Sequence, residues 1–202
     1  MKKVLVINSS ISGDKGHSAQ LSSQFLAQLP VSQANIDVLD LNATPVPHLD
    51  MKEIAAWMTP AEQRTAEQQA LAAVSDDIIE RVKVADVIVL GVPMYNFGIP
   101  SQLKALFDRI ARAGVTFKYT EQGPVGLLED KPVVIFATRG GLYQGTAMDS
   151  QTPFLTSFLN FVGLKDLHFV FAEGLNMGEQ AQQTALKAAT ERLKALSADL
   201  AA

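Results

Sequence analysis

The sequence predicts an α/β fold, a doubly wound sheet of five parallel strands with helices on both faces. Two observations predict it. Five short runs of apolar, often β-branched residues are spread along the chain, and longer segments with the period of an α-helix separate them. Three of the runs are almost entirely apolar, which is typical of strands buried on both faces. Strands that alternate with helices pair in parallel, because each crossover helix packs back onto the sheet.

The five predicted strands cover residues 4–7, 36–39, 86–90, 133–137 and 167–171. The second strand is the least apolar, and we therefore expect it at an edge of the sheet. An edge position for the second strand fits the order 2-1-3-4-5, which is the strand order of flavodoxin-like folds.

Five helices are predicted from apolar residues that recur every three or four positions, the first over residues 18–29. Thr59 and Glu62 have the spacing of a capping box, with Pro60 at the first position of the second helix. Pro100 opens the third helix. The apolar stripes are, in chain order, Leu21, Phe25 and Leu29; Leu71, Val74, Ile78 and Val82; Leu103, Leu106, Phe107 and Ile110; Phe154, Phe158, Phe161 and Val162; and Leu186, Ala189, Leu193, Leu196 and Leu200.

The length of the chain exceeds what such a sheet needs. Five strand–helix units of about 30 residues take roughly 150 residues, whereas the chain has 202. We expect one domain over residues 1–202, with the surplus in insertions near 42–64, 114–129 and 142–151. The second of these insertions has the pattern of a small β excursion. All three leave the sheet near the ends of strands that carry ligands, where they are placed to form pocket walls.

Charge and composition exclude several classes of function. The net charge is −4 without a basic patch, which argues against a nucleic-acid partner. No stretch approaches the ~20 apolar residues of a membrane span, so we expect a cytoplasmic protein without a membrane partner. The chain contains no cysteine, which excludes disulfides, thiolate nucleophiles and cysteine-bound metals. We expect no metal site, and any redox chemistry needs a bound cofactor.

The loop after the first strand, residues 8–18, is the first of three candidate ligand loops, because ligands bind these sheets at the carboxyl ends of the strands. It leads into a helix whose free N–H groups and dipole favour an anion. Ser10, His17 and the backbone from Gly16 to Ser18 are therefore candidates to hold a phosphate. Alternatively, the loop is an ordinary polar connection that ends in a serine N-cap. Its spacing matches neither G-x-G-x-x-G nor the Walker motif.

The loop after the third strand contains Met94, Tyr95, Asn96 and Phe97 between two prolines. Its aromatic rings suit a flat aromatic ligand, and the amide of Asn96 has both a donor and an acceptor for the edge of a heterocycle. Alternatively, the aromatic residues cover the open end of the sheet or an interface.

The loop after the fourth strand contains Thr138, Arg139, Gly140 and Gly141. Paired glycines allow a ligand to approach the backbone closely. Arg139 or the nearby backbone amides are candidates to stabilise a negative charge on that ligand.

Together these segments resemble the FMN-dependent NADH:quinone oxidoreductases, also known as FMN-dependent azoreductases. The segments that carry the resemblance are Ser9-Ser10, Gly16-His17-Ser18, Met94-Tyr95-Asn96-Phe97, Thr138-Arg139-Gly140-Gly141, residues 111–121 (ARAGVTFKYTE) and residues 169–174 (FVFAEG). They span nearly the whole chain in order. One departure is Thr138, where the family pattern has serine, and this change keeps the hydroxyl group.

The resemblance implies a flavodoxin-like homodimer with one tightly bound FMN per subunit and active sites at the dimer interface. The implied phosphate ligands are Ser10, Gly16, His17 and Ser18; Met94, Tyr95, Asn96 and Phe97 border the isoalloxazine ring; Thr138, Arg139, Gly140 and Gly141 border its pyrimidine edge; and Tyr119, Phe161 and Phe171 lie near the substrate. Phe161 is alternatively a core residue of its helix. No side chain is implied as catalytic, because the flavin carries the chemistry.

The implied activity is a ping-pong transfer of two electrons from NADH or NADPH, through FMN, to quinones or azo compounds. An alternative is a flavodoxin-type electron carrier without NADH turnover of its own. A remote alternative is a serine hydrolase that uses Ser18. The hydrolase fails on context, because the nucleophile elbow G-x-S-x-G requires glycine where this chain has Gln20.

Overall fold

The structure is a computed structural model that describes residues 2–32 and 35–201. Its strands are β1 (Val4–Asn8), β2 (Ile36–Asp40), β3 (Val87–Pro93), β4 (Phe117–Thr120), β5 (Gly123–Gly126), β6 (Val133–Thr138) and β7 (Leu167–Ala172). Five of them form a parallel sheet in the order β2-β1-β3-β6-β7, which confirms the predicted order 2-1-3-4-5. The antiparallel hairpin β4–β5 is the predicted β excursion.

The helices are α1 (His17–Leu26), α2 (Met51–Met58), α3 (Ala66–Val84), α4 (Ser101–Ile110), α5 (Gln151–Val162) and α6 (Glu179–Ala201). Successive strand residues point to opposite faces of a sheet, and the core is divided accordingly. Leu5 and Ile7 pack with α3, α4 and α5 on one face. Val4 and Val6 pack with α1 and α6 on the other. Helices therefore cover both faces, as predicted. None of the helices in the described ranges is long and apolar enough to span a membrane.

The capping box predicted at Thr59 is wrong. Thr59 follows the last residue of α2, and its hydroxyl donates to the carbonyl of Ala55. The helix α3 instead begins after Thr65, whose hydroxyl accepts from the N–H of Gln68, while the Gln68 side chain accepts from the N–H of Thr65. Two threonines with the same spacing compete in this segment, and the turn containing Pro60 separates them.

Two apolar stripes also differ from the prediction. Val74 is 37% exposed, and the buried face of α3 runs through Ala72 and Ser75 before it reaches Ile78. The helix α1 ends at Leu26, so Leu29 is buried from the following turn. On α3 a small and a polar residue thus occupy core positions that the apolar period assigned to Val74, whereas Leu29 is a core residue that lies outside its predicted helix.

Two of the expected insertions are held to the sheet domain by specific contacts. Arg109 of α4 is fully buried, donates from Nε to the carbonyl of Pro47 at 2.8 Å, and pairs with the carboxylate of Glu53. The hairpin β4–β5 packs against the end of α5, where a Cβ on Gly126 would lie 2.2 Å from the backbone nitrogen of Gly163. Only glycine permits this approach of two backbones.

Candidate functional site

A cleft of about 380 Å³ lies at the carboxyl ends of β1, β3 and β6. Eight of the twelve predicted cofactor-binding residues line it: Ser10, Gly16, His17, Met94, Tyr95, Thr138, Arg139 and Gly140. The structure thus brings the three predicted loops together, as parallel strands with a common edge require. The remaining four residues lie one or two positions after a lining residue in the chain: Ser18, Asn96, Phe97 and Gly141.

Beside the floor of the cleft, at the N-terminus of α1, lie buried polar atoms without partners among the described residues. Gly16 is the N-cap of α1, so Ser18 lies in the first helical turn, and the alternative of a serine N-cap is wrong. Ser18 is 1% exposed, and neither its Oγ nor Nδ1 of His17 has a hydrogen-bond partner among the described residues. The first N–H groups of a helix also lack intrahelical acceptors. Such a set of unpaired groups, at a positive helix end, suits an anion.

Gly16 is required by the crowding of this floor. A Cβ at Gly16 would lie 2.3 Å from Oγ of Ser10 and 2.8 Å from its Cβ. The absence of a side chain keeps the Ser10 hydroxyl beside the helix N-terminus. Lys15 also lines this part of the cleft and adds a positive charge there.

The loop after β3 is a tight turn in a strained conformation. The backbone groups of Tyr95 and Gly98 pair with each other at 3.0 and 3.1 Å. Asn96 and Phe97, between them, have φ of +48° and +68°. Left-handed backbone is costly for residues other than glycine and is found preferentially at ligand-binding sites. The hydroxyl of Ser150 holds the turn by donating to the carbonyl of Phe97.

Tyr95 connects this turn to the loop after β1. Its phenolic oxygen accepts from the N–H of Ile11 at 3.2 Å and lies 3.4 Å from Oγ of Ser10. The two loops therefore form one wall of the cleft, and Tyr95 is a contact between them.

The guanidinium of Arg139 is directed into the protein. It makes two bonds to the carboxylate of Asp149, at 3.0 and 3.1 Å, and one to Glu173 at 3.0 Å. Further bonds go to Gln151 and Thr152. Because its donors are engaged in this way, the candidates left to stabilise a negative charge in the cleft are the backbone amides of the loop.

This arginine network fixes the segment after the paired glycines. Oε1 of Glu173 also accepts from the backbone N–H groups of Tyr143 and Gln144, both at 2.9 Å. Asp149 accepts in turn from the N–H and hydroxyl of Thr152. Residues 142–151, the third expected insertion, are thus tied to the ends of β6 and β7.

Acid is expected to weaken this network through Asp149. Burial raises the pKa of the Asp149 carboxyl, but hydrogen bonds from Thr152 and Arg139 outweigh burial and hold the pKa below its ordinary value. A pKa lower in the folded than in the unfolded chain, where it is about 3.9, stabilises the fold above about pH 4. That stability is lost as the pH falls through the folded pKa. Urea unfolding below about pH 4 should therefore show a shallower loss for Asp149→Asn than for wild type, whereas parallel curves would contradict the assignment.

The three residues implied near the substrate do not line the cleft of the single chain. Phe171 lies under the Arg139 guanidinium, with 4.9 Å from the guanidinium carbon to the ring centroid. Phe161 packs against Phe117 of the hairpin at 4.3 Å. Tyr119, on the same hairpin, is 75% exposed. Phe161 thus packs against the core, which was the alternative to a place near the substrate.

Five further residues line the cleft that were not predicted from the sequence: Ser12, Lys15, Pro93, Leu175 and Asn176. The latter two belong to the loop after β7, which crosses to β6 and bonds from the Asn176 N–H to the Gly140 carbonyl at 3.0 Å. A Cβ on Gly140 would lie 2.6 Å from Nδ2 of Asn176. This loop follows the carboxyl end of the fifth strand of the sheet, and that position was the signal that could have identified it as part of the site.

Comparison with known proteins gives consistent matches along the whole chain. A family described as having a flavodoxin-like fold matches residues 2–196. An FMN-dependent NADH:quinone oxidoreductase from Cellvibrio japonicus is 59% identical over 90% of this chain and 92% of its own. The protein of the same name from Alteromonas mediterranea is 54% identical over 96% and 97%. The crystal structure of an FMN-dependent NADH-azoreductase from Bacillus anthracis, in complex with FMN, has a TM-score of 0.88, 29% identity and full coverage of both chains.

Proposed function

The chain belongs to the FMN-dependent NADH:quinone oxidoreductase family, and from this premise we propose that it binds FMN in the cleft and transfers two electrons from NADH to quinones. Azo compounds are a second proposed class of acceptor, since a structural neighbour is an azoreductase. The observation that carries the proposal is the pair of buried, unpartnered groups at the N-terminus of α1, Oγ of Ser18 and Nδ1 of His17.

The residues present fit the two ends of FMN. The phosphate would be held by Ser10, Ser18, His17 and the free N–H groups of α1, with Lys15 adding a positive charge. The cleft volume lies in the range of ligand sites. The ring end would be bordered by the apolar and aromatic side chains of residues 93–97 and by the backbone of residues 138–141.

When bound, FMN supplies the redox chemistry by accepting a hydride from NADH and passing two electrons to the acceptor. The chain contributes binding and orientation. The turn at Asn96 and Phe97 is rigid because its backbone pairs are closed and Ser150 holds it. The Arg139 network keeps the backbone of residues 138–141 in place, and a loop that is held before the ligand arrives loses little entropy on binding.

We propose that the working form is a homodimer whose partner subunit covers the mouth of the cleft. Large apolar side chains are exposed near this mouth, among them Phe97 (46%), Leu142 (62%) and Met148 (54%). A cluster of exposed apolar residues is typical of an interface. The ring of Tyr119 is exposed in the single chain. It is therefore free to lie near the substrate once a second subunit completes the site. The proposed location is the cytoplasm.

Anaerobic titration tests the proposal. The purified chain should bind FMN stoichiometrically, sediment at twice the mass of one chain, lose its yellow colour with NADH and regain it with a quinone such as menadione. A chain that does not bind FMN contradicts the proposal. A chain that binds FMN but is not reduced by NADH at a useful rate supports the alternative of a flavodoxin-type carrier.

A further inference from the structure

We propose that Gln182, on α6, sets the tautomer of His17 so that the buried Nδ1 carries the proton and donates to the phosphate of the ligand. This makes Gln182 a positioning residue that acts through His17. The inference rests on the proposed function for the identity of the ligand, but the tautomer is a property of the chain alone.

The amide nitrogen of Gln182 has two acceptors to satisfy. Nε2 lies 3.3 Å from the carbonyl oxygen of Leu175 and 3.3 Å from Nε2 of His17. A carbonyl oxygen only accepts hydrogen bonds, so the NH₂ group of the amide, and not its oxygen, must face Leu175. The same nitrogen has a second N–H, and that N–H points to the ring of His17. Flipping the amide would place two oxygens against each other at Leu175.

The orientation of this amide determines which ring nitrogen of His17 is protonated. Nε2 of His17 faces a donor, so it must accept with its lone pair. A neutral imidazole has one N–H, and the proton therefore lies on Nδ1. Hydrogen bonds to one ring nitrogen commonly fix the state of the other in this way.

The protonated Nδ1 is then a buried donor in need of an acceptor. It has no partner among the described residues. His17 is the first residue of α1, next to the N-cap Gly16 and to Ser18, whose Oγ is also unpartnered. A proton on Nδ1 attracts an anion at this helix end, whereas a lone pair there would repel it. The tautomer set by Gln182 is the one that suits a phosphate.

Gln182 is well placed to hold this state. It lies in the first turn of α6, where its N–H donates to the Gly178 carbonyl at 3.0 Å. The helix packs against α1, with the hydroxyl of Thr190 donating to the side-chain oxygen of Gln24 at 3.3 Å. Because both helices are anchored, the Gln182 amide and the His17 ring keep their separation without the ligand.

Long-range ¹H–¹⁵N NMR of the histidine rings, at about pH 8 and without ligand, tests the tautomer directly. In wild type, His17 should show a protonated Nδ1 and an unprotonated Nε2. In Gln182→Met, which is similar in length but has no donor, the Nε2–H form should gain population. The matched control is Gln183→Met on the same helix. Among the residues that the structure describes, the amide of Gln183 bonds only to Glu179, so this variant should leave the His17 signals unchanged.

Binding of FMN and of riboflavin then tests the role toward phosphate. Riboflavin has the same ring system but no phosphate. Gln182→Met should weaken the binding of FMN by about three- to tenfold, the range expected for one impaired hydrogen bond. The affinity for riboflavin should stay unchanged. If the role of Gln182 were purely structural, the variant would bind both ligands more weakly, and by the same factor.

The outcomes separate the two proposals. A wild-type His17 with its proton on Nε2, or a Gln182→Met variant with an unaltered ratio of FMN to riboflavin affinity, overturns the role of Gln182. Failure of wild type to bind FMN at all overturns the proposed function, and with it the phosphate as the ligand. In that case a protonated Nδ1 in wild type, partly lost in Gln182→Met but not in Gln183→Met, still shows that Gln182 sets the tautomer.

Discussion

Replacement of Arg139 by methionine is expected to lower the free energy of unfolding by about 3–5 kcal/mol, the usual cost of removing one partner from a buried ion pair. The Arg139 side chain is fully buried, and it compensates two carboxylates, those of Asp149 and Glu173. Methionine fills much of the space but leaves both carboxylates without their cation. Urea-induced unfolding at neutral pH, followed by circular dichroism, measures the change.

The matched control for this variant is Lys104→Met, which makes the same kind of change at an exposed ion pair. Lys104 and Asp108 are one helical turn apart, with side chains 49% and 39% exposed. Exposed pairs at this spacing contribute about 0.3–0.5 kcal/mol. Equal losses in the two variants would show that burial does not strengthen the Arg139 network, and a loss below about 1 kcal/mol for Arg139→Met would contradict its role in holding residues 142–151.

The strands and their order could be predicted because burial on both faces leaves a strong local signal. Residues 4–7 and 133–137 are uninterrupted apolar runs, and each is a central strand. The second strand, with aspartates at 37 and 40, is an edge strand as its composition indicated. The apolar content of a strand is a property of consecutive residues, and it can therefore be read from a single sequence.

The helix α2 is not among the predicted helices, although Asp50 and Glu53 form a capping box at its start, because its length gives a weak periodic signal and contacts distant in sequence hold it. It has eight residues, and Met51 and Met58 at its ends are 73% and 81% exposed. Isolated helices of that length are unstable in water. The ion pair between Glu53 and Arg109 fixes it to α4. The position of Arg109 in the chain gives no sign of this pairing.

The site could be predicted as far as it depends on the ends of parallel strands. The loops after β1, β3 and β6 converge on one cleft, as the strand order requires. The direction of Arg139 could not be predicted, since Asp149 and Glu173 lie 10 and 34 residues further along the chain. Gln182 was missed for the same reason: its contact with His17 joins residues 165 positions apart.

Substitution of Gly16 by alanine is expected to weaken FMN binding by about 100-fold. The new Cβ would meet Oγ and Cβ of Ser10 at 2.3 and 2.8 Å, so the Ser10 loop has to move away from the N-terminus of α1. Two hydrogen bonds to a charged phosphate, at about 1.5 kcal/mol each, correspond to roughly that factor. The backbone of Gly16, with φ of −69° and ψ of 137°, is open to alanine. The cost to folding therefore comes from the displaced Ser10 loop alone, and the free energy of unfolding should fall by about 1–3 kcal/mol, the usual cost of an added methyl group in a packed place.

Two comparisons show whether the loss of affinity arises at the phosphate. Gly98→Ala is the matched variant, because its Cβ would meet only the Tyr95 carbonyl oxygen, at an ordinary 3.8 Å, and FMN affinity should stay within about threefold of wild type. Riboflavin, which has no phosphate, should bind Gly16→Ala nearly as well as wild type. If Gly16→Ala weakens riboflavin as much as FMN, the loop after β1 supports the ring and not the phosphate. Unchanged binding of FMN would instead show that the phosphate lies away from the helix N-terminus. Ser18 and His17 would then remain unpaired.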